Sequence, residues 1–273
     1  MAVEIAAKDV MSLRNKTGLS MMECKRALEE ASGDPERAEE LLRKKMKGKM
    51  DTRTDRAAGE GRVSVKVSPD GRSAVIVEVR AETDFTAKNE KFAATVDKVA
   101  TLALAQPTGD VKPTADMTKA LDEIRISTGE NASIARIHKI AGGGDSMFGS
   151  YVHHDGKTAV LLHCTGSVSQ DTAKQVCMHI AAAMPRPQGV RREDVPAHVI
   201  DKERRLAMEM AIESGKNAEI AAKMVDGKIN ALVADLALLE QPFVMDPSKQ
   251  VKDVIGANGT VSAFLRWQVG ETA

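Results

Sequence analysis

Between Ala74 and Phe92 the hydrophobic pattern changes period. Val75, Val77 and Val79 alternate with other residues, the spacing of a half-buried strand, and Phe92, Val96, Val99 and Ala103 then recur at the spacing of a helix face. A strand ending near Val79 and a helix from about Ala87 to Leu104 are predicted, with a short polar junction between them. Upstream, Val63, Val65 and Val67 alternate into the turn signal at 68–71, so the first strand and the second form a hairpin. The same order returns later. Tyr151 and Val152 lead into His154, Asp155, Gly156 and Lys157, an apolar strand follows from Ala159 to Cys164, and Ser169 or Gln170 opens a helix with Ala173, Val176, Cys177 and Ile180 inward. Two strand-turn-strand-helix units imply two similar α+β halves. Between them Met117, Leu121 and Ile124 predict a further helix and Ala132 to Ile140 a further strand; the chain closes on a short helix with Val251 and Val254 and a strand whose Val261, Ala263, Leu265, Trp267 and Val269 share one face.

The first fifty residues read as three short helices. The first, with Val10 and Leu13, stops at Gly18; Ser20 then opens a capping box with Glu23, and the second helix buries Cys24, Ala27, Leu28 and Ala31. Asp34 and Pro35 restart the chain for a third helix with Ala38, Leu41 and Leu42 inward. A unit this small has little core of its own, which suits binding better than chemistry. Met21 and Met22 are adjacent on a helix, so at least one lies near the surface. From Val199 to Leu239 the chain is helical and charged, broken only at 214–217; this predicts an antiparallel hairpin with Val199, Leu206 and Met210 facing Ile220, Met224 and Ile229.

With 39 basic and 39 acidic residues the formal net charge is zero, which argues against general affinity for nucleic acid or an anionic membrane. No apolar run is long enough to span a bilayer, and the N-terminus lacks the charged start and apolar block of a signal peptide, so a cytoplasmic protein is expected. Cys24, Cys164 and Cys177 fall in apolar periodic segments and read as reduced core thiols. Lys44, Lys45, Lys47 and Lys49 read as the solvated end of the third helix rather than a nucleic-acid patch.

The sequence offers no catalytic constellation. Gly142, Gly143 and Gly144 lack the Lys-Ser/Thr of a phosphate loop. His153, His154, His163, Cys164, Cys177 and His179 are close in sequence, but none is paired at CxxC spacing and alternating strand positions scatter them, so no metal site and no cofactor are expected. No GxSxG motif supports a nucleophile. The odd residue is Phe85, between Asp84 and Thr86, in a chain with only five Phe, one Trp and one Tyr. At a strand-to-helix turn such a ring either folds back as a staple or stands out as an anchor; from this stretch alone the staple is the default, and Asp84 is a candidate cap for the helix that follows.

Six blocks change that balance: LRNKTGLSMMECKRALEEASGD at 13–34, VEVRAETDFTAKNEKF at 77–92, GENASI at 129–134, GSYVHHDGK at 149–157, MHIAAAMP at 178–185 and EQPFVMDPSKQV at 240–251. In this order they resemble the bacterial translation elongation factor Ts family. The resemblance implies a guanine nucleotide exchange factor for elongation factor Tu, not an enzyme, which meets the GDP-bound partner and leaves it nucleotide-free. It further implies that Asp84 and Phe85 intrude beside the partner's magnesium site, and that Arg14, Met21 and Met22 hold the N-terminal bundle on the nucleotide-binding domain. Thr128, Gly129, His153, Val244 and Met245 then lie on the second subdomain, facing the partner's third domain. The chain departs from the family at Arg80-Ala81, at Thr86, where Val is frequent, and at Thr128, where an aliphatic residue is more usual. Some members continue beyond the point where this sequence stops at Ala273 into a C-terminal helical module, whose contact is expected to be absent here.

The expected architecture is therefore α+β: a ubiquitin-associated-like three-helix bundle at 1–47, a linker at 48–60, core subdomain one at 61–128, core subdomain two at 129–196 and 240–273 with antiparallel sheets, and an inserted coiled-coil hairpin at 197–239. The hairpin leaves a homodimer open. An RNA-binding translation accessory protein is the alternative reading, disfavoured by neutral charge and the lack of an aromatic RNA platform. A hydrolase would need an activated nucleophile.

Overall fold

The computed structural model describes residues 5–51, 56–215 and 217–271. Its N-terminal bundle comprises α1 (Ala7–Thr17), α2 (Met21–Glu30) and α3 (Pro35–Asp51) around Val10, Leu13, Cys24, Leu28, Ala38 and Leu42. Gly18 ends α1 at φ 75°, a left-handed conformation that costs glycine little. Ser20 and Glu23 form the expected capping box, and Asp34 Oδ1 accepts the Glu36 and Arg37 amides at 2.9 and 3.2 Å. The backbone stays helical through Asp51, past the expected linker start at 48, because a run of Lys and Met propagates a helix without an apolar period. The rest of that linker expectation falls partly on 52–55, outside the described residues.

Next come β1 (Glu60–Val67), β2 (Ser73–Ala81), the single turn α4 (Asp84–Lys88), α5 (Glu90–Leu104), β3 (Gly109–Asp110), α6 (Ala115–Thr128) and β4 (Ala132–Ala141). Then follow β5 (Ser146–Val152), β6 (Thr158–Gly166), α7 (Gln170–Ala182), α8 (Ala197–Glu213), α9 (Ala218–Leu236), β7 (Pro242–Phe243), β8 (Asp246–Gln250), α10 (Val251–Ile255) and β9 (Gly259–Gln268). Among the described residues the strands form antiparallel sheets in the orders β1-β2-β4-β3, β5-β6-β9 and β7-β8. The fold is α+β, as expected. One boundary differs: β4 pairs with β2, so the first sheet runs past 128/129, where the second subdomain was expected to begin.

The larger sheets stack face to face, with helices outside. Val63, Ala74, Ile76, Phe148, Leu161 and Trp267 fill the space between the sheets. Val75, Val77 and Val79 face Phe92, Val96 and Val99 of α5 and Met117 and Leu121 of α6, while Val160, Leu162 and Cys164 face Val176, Cys177 and Ile180 of α7. Strand β2 is consequently buried on both faces rather than half-buried. The closing strand also departs from expectation. A bulge at Ser262, where Cys164 pairs with Val261 and His163 with Ala263, sends Val261 into the α7 core and Leu265, Trp267 and Val269 into the space between the sheets. An extra residue in one strand reverses the facing of everything after it.

Helices α8 and α9 are antiparallel, and the expected Val199 and Ile229 pack along their seam, but the rest of the seam differs. Ala207 and Ala211 meet Ala221, Val225 and Ile229, whereas Leu206, Met210, Ile220 and Met224 are exposed. Ion pairs Glu203–Lys228 (2.7 Å) and Arg204–Asp226 (2.6 Å) fix this register one position round the helix, and alanines let the backbones approach closely.

A charged clasp joins the sheets. Glu78 is fully buried, its carboxylate 2.8 Å from Arg80 Nε and 2.6 Å from Arg136 Nε, and it accepts the Gly270 amide at 3.1 Å. Arg136 also lies 4.4 Å over the Trp267 ring and donates to the Gln268 carbonyl at 3.2 Å. Removing one member of a buried ion pair strands the other, typically at a cost of about 3–5 kcal/mol. Glu78→Ala is accordingly expected to lower the unfolding free energy by about that amount in urea titrations followed by Trp267 fluorescence; a loss under ~1 kcal/mol would show the clasp to be marginal.

Candidate partner-binding surface

The turn carrying Phe85 is built by two caps in succession. Thr83 Oγ1 accepts the Thr86 amide at 3.3 Å and starts α4, and Asn89 Oδ1 accepts the Lys91 amide at 2.8 Å and starts α5. The chain therefore makes one helical turn, breaks and restarts. Thr83 and Asn89, not Asp84, are the caps; Asp84 lies in the first turn, 2.7 Å from Lys88, whose ammonium holds its carboxyl below the usual range. Phe85 is 83% exposed, so it is not a staple in this protein's own core.

The turn is held from two sides. On one, Glu130 receives the Thr83 amide at 3.2 Å and its hydroxyl at 2.8 Å. Glu130 directly follows the end of α6, where Gly129 adopts φ 73° and donates to the Arg125 carbonyl at 2.9 Å. Thr128 Oγ1 donates to the Ile124 carbonyl and accepts the Glu130 amide. Thr128 and Gly129 thus stand beside the Phe85 turn, on the first sheet's helix layer. On the other side, Arg62 donates to the Ala87 carbonyl at 3.4 Å and packs against Gly156, where a Cβ would come within 2.6 Å of the guanidinium carbon. The Val63 amide donates to the Gly156 carbonyl at 2.8 Å, so the β5–β6 turn with His153 is clamped to β1. His153 Nδ1 lies 3.0 Å from Asp155; Lys157 bonds Glu60 at 2.6 Å, which raises its pKa, and also attracts Asp84. Glu130 next to Thr128 and Gly129 on one side, and on the other the β5–β6 loop that carries His153, reached through Arg62 and Gly156, are thereby tied to the turn that carries Asp84 and Phe85.

The remaining sequence-selected residues sit on other packing units. Arg14, Met21 and Met22 are exposed on the bundle, the methionines by 39% and 58%. The bundle meets α5 and α6 across a cleft of about 390 Å³ lined by Lys16, Leu19, Leu42, Lys91 and Ile124, and Gly18 lies against Ser127. Val244 and Met245, each about half exposed, form the β7–β8 turn, with the Val244 amide donating to His179 Nδ1 at 3.2 Å. Of two residues with structural roles here, Glu130, inside the GENASI block, was not singled out from sequence, and His179, inside MHIAAAMP, stood out only among the scattered candidate metal ligands. Their structural roles left no signal in the sequence, because neither has a local spacing that reports a partner.

The histidines and cysteines are scattered only in part: Cys164 and Cys177 share the core between β6 and α7, and the His153 and His154 ring centroids lie 4.2 Å apart. His163 bonds Ser146 at 3.0 Å and stacks on Phe148 at 4.7 Å; among the described residues no carboxylate bonds its Nδ1. Burial pushes the Cys164 thiol up to about 11 and Cys177 higher still. Among the described residues no group of three or more His, Cys, Asp or Glu could hold a metal ion, and no helix is long and apolar enough to cross a membrane. What the surface offers is an exposed aromatic ring on a turn capped by Thr83 and Asn89, with the Asp84–Lys88 ion pair beside it.

The family profile described as "Elongation factor TS" matches residues 82–271. The chain is 43% identical over 272 residues to Elongation factor Ts of Hahella chejuensis (strain KCTC 2396), covering 98% of this chain and 92% of that one. It is 39% identical to that of Alkalilimnicola ehrlichii over 98% of this chain and 92% of the relative, and 40% identical to that of Yersinia pestis (strain Pestoides F) over 98% and 93%. A likeness of this extent, together with the α+β architecture, shows that the chain belongs to the elongation factor Ts family of translation elongation factors.

Proposed function

We propose that this protein is a guanine nucleotide exchange factor that binds elongation factor Tu carrying GDP and promotes GDP release in the cytoplasm. The observation that carries the reading is Phe85, a ring 83% exposed on a turn capped at both ends. Exchange is a linkage problem. If this protein weakens the partner's hold on GDP, GDP weakens the partner's hold on this protein by the same factor, so some contacts must form only when the nucleotide and its magnesium are disturbed. A ring on a rigid support can displace the elements that position the cation, and losing the cation leaves the phosphate charge poorly neutralised. No covalent step is involved, so the protein is a binding catalyst rather than an enzyme.

The division of labour follows the packing units. Arg14, Met21 and Met22 on the bundle dock the nucleotide-binding domain, Asp84 and Phe85 do the wedging with Thr128, Gly129 and His153 on segments tied to their turn, and Val244 and Met245 hold the partner's third domain. These flanking contacts supply the free energy that distortion of the nucleotide site consumes. Release of a fluorescent GDP from purified elongation factor Tu, with and without this chain, tests the whole reading; an unchanged release rate would reject it.

Two substitutions separate wedge from dock. Truncating a buried Phe costs about 3–5 kcal/mol, whereas Phe85→Ala is expected to leave the melting temperature essentially unmoved while slowing GDP release at saturating concentration. A large loss of melting temperature with release unchanged would reverse that assignment. Replacing Met21 and Met22 together by Ala is expected to raise the concentration for half-maximal release by about tenfold, as truncated interface anchors do, with the saturated rate retained. A lowered saturated rate at unchanged half-maximal concentration would place the methionines in the exchange step instead.

A further inference from the structure

Exposed apolar side chains on the flank of the second sheet collect on two loops. Met184, 82% exposed, follows α7, and Val244 and Met245 form the β7–β8 turn. Both loops hang from one ring. His179 lies on the inner face of α7, 1% exposed, with the Phe243 ring 5.7 Å away.

Its hydrogen bonds admit one assignment. The carbonyls of Pro185 and Asp235 can only accept, so Gln241 Nε2 directs its hydrogens to them at 2.9 and 2.6 Å. Gln241 Oε1 then faces His179 Nε2 at 3.0 Å and requires a hydrogen there. Nδ1 receives the Val244 amide at 3.2 Å, so it carries a lone pair. The ring is therefore the neutral Nε2–H tautomer, and a second proton would set N–H against N–H. Burial holds its pKa below the ordinary imidazole value, opposed in part by Gln241. The carbonyl of the same residue accepts the Ala183 amide at 2.8 Å, closing α7 immediately before Met184.

We propose that His179 is a positioning residue for partner binding: Nδ1 fixes the Val244 amide and so orients the Val244–Met245 tip, while Nε2, through Gln241, ties that tip to the loop carrying Met184. This rests on the exchange-factor reading and adds a buried determinant that touches neither partner nor nucleotide. The two atoms can be tested apart, because Asn places an amide oxygen near the position of Nδ1 and Gln places an amide nitrogen near that of Nε2.

In the full chain, His179→Gln is expected to speed hydrogen exchange at the Val244 amide and raise the half-maximal concentration for fluorescent GDP release from elongation factor Tu by about tenfold, the scale of one lost hydrogen bond with its buried partner, leaving the saturated rate unchanged. His179→Asn is expected to restore Val244 protection and bring the concentration to within about threefold of wild type. A faster-exchanging Val244 amide with unchanged half-maximal concentration would overturn the proposal, as would equal losses in the two variants. Nitrogen-15 spectra of the wild-type imidazole provide a test that no variant's folding can compromise: the Nε2–H tautomer is expected, and the Nδ1–H tautomer would overturn the assignment. Wild-type protein that fails to release GDP rejects the exchange reading and this proposal together, whereas an active wild type beside a folded, unaffected His179→Gln rejects this proposal alone.

Discussion

The arrangement depends on strand β2 having no face in water. One side packs under α5 and α6 and the other against the second sheet, so the strand is fixed in register by two cores at once. Its one buried charge, Glu78, is satisfied by arginines from β2 and β4 and by the amide of Gly270 beyond β9. A carboxylate so placed tolerates little sliding of one sheet over the other, because any shift leaves charge unpaired in a medium that screens it poorly. Everything carried at the C-terminal end of β2 inherits that rigidity, and what it carries is the Phe85 turn.

The turn gains precision from polar side chains rather than from apolar packing. Thr83 donates to Glu130 and accepts from Thr86 through one hydroxyl, Asn89 starts the next helix, and Arg62 reaches the Ala87 carbonyl while packing on Gly156. These contacts bring together segments distant in sequence: the end of α6, the start of β1 and the β5–β6 turn. A projecting ring cannot be anchored by its own burial, so its support has to come from beneath.

The helices of the bundle, the two hairpins and the inward faces of α5, α6 and α7 were legible because each obeys a period or ends on Gly18, Ser20 or Asp34, whose chemistry is local. What escaped were features set by partners far along the chain. Membership of β4 in the first sheet depends on pairing with β2, the facing of Val261 depends on a single extra residue at Ser262, and the α8–α9 seam depends on which of two neighbouring apolar stripes contains the smaller residues. At the candidate site, the oddity of Phe85 was visible and its exposure was not, since a staple and an anchor share one sequence. The nearness of Thr128 and Gly129 to the Phe85 turn was not legible, because it rests on the contact of Glu130 with Thr83, which are far apart in sequence.

A turn locked at both ends also denies its ring any retreat. A flexible loop would let Phe85 tuck against the nearest apolar surface when no partner is present, but here the ring of the free protein stands in water. Full burial of such a side chain is worth roughly 1.5–3 kcal/mol. The isolated molecule thus carries a standing solubility liability, tempered by Asp84 and Lys88 on the same turn and by Lys157 near Asp84, which surround the ring with hydrated charge and make it unattractive to any surface that cannot also answer those charges.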